Sequence, residues 1–296
     1  MTRSAAVLLM VAAPVLWSSA GVVTRHMQRA EPMEQVFWRS LFAFAFVAGF
    51  LLFKGRNPVH AIRAAGLPGL FSGAMWAVMF TAFVIALSLT STANTLVVMS
   101  VSPLLTVICA RLVLTDPAPL RTWAASLAAM AGIAYMFSSS VEKDSAGMLI
   151  ALAIPVAAAL NVVALRKHSA NVDLVPAVML GGAFSCLIAL PLALPLSASP
   201  RDLALLAFLG VFQLGLPCML LVMASRALLA PEMALLGLLE VVLGPLWAWL
   251  GAGETPAPST LIGGVVVLAA LAGNELAALS SRTRNSRSRR TASSFR

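Results

Sequence analysis

Residues 230–254 read APEMALLGLLEVVLGPLWAWLGAGE, an apolar run of spanning length with one carboxylate, Glu240, deep inside it. Pro231 lies nine residues earlier, ~13 Å along a helix, so Glu240 falls near the middle of a bilayer core of ~30 Å. A charge at that depth costs roughly 2.5 to 3.5 kcal/mol even on lenient insertion scales, and it reads by default as a functional site facing protein or water. Gly244 and Pro245 follow about one turn on, where proline removes a backbone donor and predicts a bend just beyond the carboxylate.

The rest of the chain fits a membrane reading. Sixty per cent of its 296 residues are hydrophobic and 10% are charged, a balance no water-soluble surface tolerates at this length. The net charge of +9 invites a nucleic-acid partner, but the basic residues fall between apolar runs and in the C-terminal tail, with no basic groove interleaved with aromatics. Nucleic acid is set aside as a partner. Cys109, Cys186 and Cys218 all lie inside apolar runs, far from any second cysteine or histidine, so neither a disulfide framework, a metal site nor a cofactor is indicated. Residues 1–24 resemble a signal peptide in charge pattern, yet the run is long enough to span and many spans follow, which favours a retained first helix.

Ten apolar runs of spanning length occur, at about 4–24, 35–53, 66–87, 93–112, 120–137, 147–165, 174–195, 203–228, 231–251 and 258–279. The fold expected is an all-α membrane protein of ten transmembrane helices. Residues 281–296 read as a disordered basic tail. With the N-terminus inside, the inner segments hold fifteen basic residues, six of them in the tail, and the outer segments hold Arg25, Arg29, Lys143 and Arg201. That excess places both termini in the cytoplasm.

The turn-rich break at 138–147 divides the ten runs into halves, 1–139 and 144–280. A shift of 138 residues places Ser102 on Glu240, Asp116 on Glu254 and Ala86 on Ala224; a shift of 141 places Pro14 on Pro155 and Arg25 on Arg166. Five helices per half is odd, so the second half enters the membrane from the opposite side. Such inverted repeats mark secondary transporters, whose site lies at the midplane where corresponding helices meet. Pro14 and Pro155 free carbonyls that need a polar partner or a lined cavity, and with Pro245 they are the expected hinges.

Polar and aromatic residues deep in the runs are the candidate substrate contacts: Trp17, Asn94, Ser102, Asn161, Gln213 and Glu240, with Trp76, Met79 and Phe80 on one face of the third run at helical spacing. For that stripe plain core packing competes with a ligand cage. Arg39 lies five residues, ~8 Å, from Glu34, and is expected to snorkel to the outer interface. Ala124, Ala128 and Gly132 in the fifth run, and Ala269, Gly273 and Ala277 in the tenth, are read as close-packing stripes that keep those helices off the substrate path.

The two five-helix halves, LWSSAG (16–21) in the first run, FWRSLFA (37–43), SPLLTVICARLVLTD (102–116) and its partner EVVLGPLWAWLGAGE (240–254) resemble the EamA repeats of the drug/metabolite transporter superfamily over about residues 4–280. The family's usual Glu-Pro pair is here Glu240-Val241, with Pro245 four residues on. Within that superfamily the chain is most similar to aromatic amino acid exporters. The resemblance implies export of amino acids, chiefly aromatic ones, and of some toxic organic cations across a bacterial inner membrane, through a cavity lined by runs one, three, four, six, eight and nine. Other functions fit less well. An intramembrane enzyme would want clustered chemistry, but the aspartates at 116, 144, 173 and 202 are unpaired, and no HExxH, GxSxG or nucleotide-binding GxxxxGK(S/T) occurs. A channel would want charge rings or repeated carbonyl filters, and nucleotide-sugar transport buried cations beyond Arg39. With no nucleotide-binding motif, transport must run on a gradient, and Glu240 is either the proton carrier or a structural tie to carbonyls freed near Pro14 or Pro155.

Overall fold

The computed structural model describes residues 1–24, 26–114, 119–138, 145–252 and 257–293. Among them all regular structure is helical: α1 (Arg3–Trp17), α2 (Ala20–Thr24), α3 (Pro32–Phe53), α4 (Pro58–Leu89), α5 (Thr92–Met99), α6 (Ser102–Val113), α7 (Leu120–Met136), α8 (Ser145–His168), α9 (Val175–Ala193), α10 (Pro200–Phe208), a π-helical segment (Leu209–Gly215), α11 (Leu216–Ala224), α12 (Ala230–Gly237), α13 (Leu239–Ala252) and α14 (Pro258–Ser293). Several begin with proline in the first turn, where a missing N–H costs nothing. Asn57 caps α4 by accepting from the amides of Val59 (2.9 Å) and His60 (3.3 Å). Ser199 and Asp202 form a capping box on α10. Within α4, Gly66 has φ of 56°, a left-handed value that breaks the helix ahead of its spanning part.

Nine helical segments among the described residues are long and apolar enough to cross a membrane. α7 is not one of them: its 17 residues reach only ~26 Å.

Two of the nine segments are discontinuous at corresponding places. α5 gives way to α6 at Ser100 and Val101, and α12 gives way to α13 at Leu238; Leu238 is 138 residues beyond Ser100, as Ala230, which opens α12, is 138 beyond Thr92, which opens α5. Near the expected bend at Gly244 and Pro245, α13 continues through both residues to Ala252, and the interruption of this span precedes Glu240. The other matched pairs fall partly out of view, since Arg25, Asp116 and Glu254 lie outside the described residues.

Helices from the two halves pack on one another in a reciprocal pattern. α1 packs on α11, α4 on α8, α3 on α9, α7 on α14 and α6 on α12. Close approaches rest on glycine. A Cβ built on Gly73 of α4 would meet the Leu180 Cβ of α9 at 2.7 Å, and one on Gly182 would meet the Ser40 carbonyl of α3 at 2.8 Å. Beside them Ser185 bonds to both Ser40 and Thr81, each at 3.0 Å, a buried hydroxyl cluster joining α3, α4 and α9.

Of the expected stripes, Gly132 lies in the contact between α7 and α14, and the rest of the contact is made by neighbouring residues. Ala125, Ala129 and Ile133 of α7 meet Val267 and Leu271 of α14 in a buried cluster, and a Cβ on Gly132 would lie 3.1 Å from the Gly263 carbonyl. Ala124, Ala128, Ala269, Gly273 and Ala277 are instead exposed. α14 also runs on to Ser293 where a disordered tail was expected from residue 281; no glycine or proline after Gly273 stops it.

Candidate functional site

Where the two interrupted helices meet lies a cavity of about 80 Å3. Met10 and Trp17 of α1, Trp76 and Met79 of α4, Met99 of α5, Ser102 of α6, Pro155, Ala158 and Asn161 of α8, Leu221 of α11, Met233 and Gly237 of α12, and Glu240 of α13 are among the residues that line it. None of its lining comes from α7 or α14. Pockets that hold small ligands run to ~300–1,000 Å3, so the cavity as it stands is smaller than such a pocket. Four of those walls are methionines, whose flexible thioethers can repack around different shapes.

Glu240 is the one titratable side chain in the lining. It sits in the first turn of α13, beside Val241, whose N–H donates to the Leu238 carbonyl at 3.0 Å. Ser102 opens α6 at the corresponding place.

Across the cavity the polar groups are donors. Asn161 is 1% exposed; its Oδ1 accepts from Ser72 Oγ at 2.6 Å, and its Nδ2 is buried with no hydrogen-bond partner among the described residues. Trp76, also 1% exposed, leaves its indole N–H in the same condition.

The cavity thus gathers Trp17, Trp76, Met79, Ser102, Asn161 and Glu240, with Pro155 on its wall. The other expected contacts lie elsewhere. Phe80 is buried behind Trp76, ring centroids 5.7 Å apart, and its carbonyl accepts from Arg39 Nη2 at 3.3 Å. Asn94 donates to Thr90 Oγ1 at 2.7 Å at the start of α5. Gln213 is buried in the π-helical segment, where its Oε1 has no partner among the described residues. Pro14 is buried within α1 and Pro245 lies within α13, both off the cavity. Arg39 does not snorkel: it is 3% exposed. Glu34, itself 1% exposed, accepts from the amides of Ser197 and Ala198 and from Trp38 and leaves Arg39 to bond the Phe80 carbonyl.

Two lining residues, Met10 and Met233, and two residues outside the lining, Ser72 and Trp247, were not expected. Met10 is seven residues before Trp17 and Met233 seven before Glu240, both on the same helical face two turns away. Ser72 extends the Trp76, Met79, Phe80 stripe by one turn. Trp247 carried no signal at all, yet its indole donates to Ser18 Oγ at 2.8 Å, joining α13 to the α1–α2 break.

A family model described as "EamA-like transporter family" matches residues 4–138 and again residues 145–274. A solved structure described only as "Crystal structure of protein" superposes with a TM-score of 0.76, covering 93% of this chain and 99% of its own at 19% identity, which shows a shared fold. No match was found among curated proteins.

Proposed function

The chain belongs to the EamA-like transporter family, a family of membrane transporters of small substrates, and from that premise we propose that it exports amino acids, aromatic ones preferred, by alternating access. The observation that carries this reading is the meeting of the two interrupted helices at one cavity, with Ser102 and Glu240 at corresponding places on its wall. Half-helix ends at a repeat interface are where secondary transporters hold charged groups of their cargo. Reciprocal packing of α1 on α11 and α4 on α8 supports an inverted repeat of ten spans, with α7 completing the first half. Both termini are then cytoplasmic, in the inner membrane of a bacterium.

The cavity chemistry suits an amino acid. Trp17, Trp76 and the methionines receive an apolar side chain, and Glu240 receives an ammonium group. A carboxylate that accepts either the cargo ammonium or a proton couples the two by exclusion, which is the basis of antiport. Ion pairs on the proposed cytoplasmic side close that end: Arg3 reaches Glu232 (3.2 Å) and Glu275 (2.8 Å), tying α1 to α12 and α14, and Asp173 pairs with Arg56 and Arg226.

The test is flux into liposomes containing the purified protein, with labelled tryptophan, threonine and a quaternary ammonium dye. Saturable tryptophan uptake above that of empty liposomes supports the reading. Uptake of the dye alone would make the protein a cation exporter, and uptake of none of the three would remove the amino-acid assignment.

A further inference from the structure

Beyond Glu240, two residues of the cavity lining carry buried N–H groups with no partner among the described residues, Trp76 and Asn161, and one of the two is held by a small side chain. Ser72 and Trp76 lie one turn apart on α4, facing α8, which supplies Asn161. The Ser72 hydroxyl donates to Asn161 Oδ1, so the carbonyl end of the amide is occupied and the NH2 end is left over. Had the amide faced the other way, the cavity would have been offered an acceptor.

We propose that Asn161 Nδ2 and Trp76 Nε1 form the subsite for the carboxylate of the cargo, and that Ser72 is a positioning residue that holds the Asn161 side chain in place. The inference rests on the amino-acid reading above and deepens it by giving the cargo a direction, carboxylate toward α4 and α8 and ammonium toward Glu240 on α13. Buried donors without partners are costly, and an anionic oxygen is the acceptor that satisfies both. Water is a poorer candidate for the pair, because each donor is buried and a water needs two to four polar partners.

The experiment compares tryptophan with tryptamine, which keeps the ring and ammonium and lacks the carboxylate. Counterflow in liposomes is measured for the parent protein and for Asn161→Asp, Trp76→Phe and Ser72→Ala, each checked for monodispersity after purification. Asn161→Asp replaces the NH2 by an oxygen, so its loss for tryptophan should exceed its loss for tryptamine by about tenfold or more, the effect of one hydrogen bond to a charged group. Trp76→Phe keeps the ring and drops the donor, and Ser72→Ala frees the amide to turn; both should shift the same preference in the same direction. Equal losses for the two compounds in all three variants would overturn the donor assignment while leaving amino-acid export in place. A parent protein that moves neither compound would overturn the amino-acid reading and the subsite with it.

Discussion

Ser102 and Glu240, 138 residues apart in sequence, stand in the first turns of the two half-helices α6 and α13 and line the same cavity. One member of the pair is neutral and the other is a carboxylate. If the two halves exchange roles during transport, the charge is carried by the second half alone.

Coupling is tested at that carboxylate. Glu240→Gln keeps shape and abolishes titration, so proteoliposomes with the Gln variant should show no tryptophan accumulation driven by a pH gradient, while exchange of labelled for unlabelled tryptophan is slowed but still measurable. Uphill accumulation equal to that of the parent would show that Glu240 is not the proton carrier.

Aromatic preference divides Trp17 from Phe80. Stacking on a cavity tryptophan contributes ~0.5 to 1.5 kcal/mol beyond area burial, so Trp17→Ala should reduce tryptophan transport about two- to tenfold more than threonine transport. Phe80 touches Trp76 from behind, and Phe80→Ala should lower thermal stability and depress both cargoes alike. A cargo-selective loss in Phe80→Ala would return that residue to the binding surface.

Packing of α7 on α14 gives a stability contrast. Gly263→Leu drives a side chain into Gly132 and Met136, and overpacking of this kind costs ~1 to 3 kcal/mol. Thermal unfolding in detergent should fall by several degrees for Gly263→Leu and stay within error for Ala128→Leu, whose side chain is exposed. The reverse order would restore the stripe Ala124, Ala128, Gly132 as the contact.

Orientation is read with single cysteines after Cys109, Cys186 and Cys218 have been replaced. An impermeant thiol reagent applied to whole cells should label Arg29→Cys, before α3, and spare Asn171→Cys, after α8; both positions are exposed. Labelling of Asn171→Cys with protection of Arg29→Cys would invert the topology.

Much of the site was legible because lipid makes polar residues conspicuous. Glu240, Asn161 and Ser102 stand out in apolar runs, and the 138-residue shift that pairs Ser102 with Glu240 also relates the two helix breaks. The break at Leu238 was not expected, although Gly237 sits directly before it. Asn94 is buried, as its apolar run suggests, but it sits in the first turn of α5, where its N–H donates to the N-cap Ser91 and its side chain to Thr90. Gln213 was misplaced because a π-helical turn adds a residue and rotates every later side chain away from the 3.6-residue face. Helices as rich in alanine as α7 offer several small-residue registers, and the close approach of Gly132 to Gly263 selects one that spacing alone does not distinguish.

The cavity at the helix breaks as the path of the cargo is the central claim, and reactivity at Ser102 tests it most directly. In the protein lacking Cys109, Cys186 and Cys218, Ser102→Cys is exposed to a small cationic thiosulfonate with and without tryptophan at a concentration that saturates transport. The expected result is labelling that tryptophan slows severalfold, with no such protection at the exposed control Asn171→Cys. Labelling at Ser102→Cys that proceeds at the same rate with and without tryptophan would contradict it.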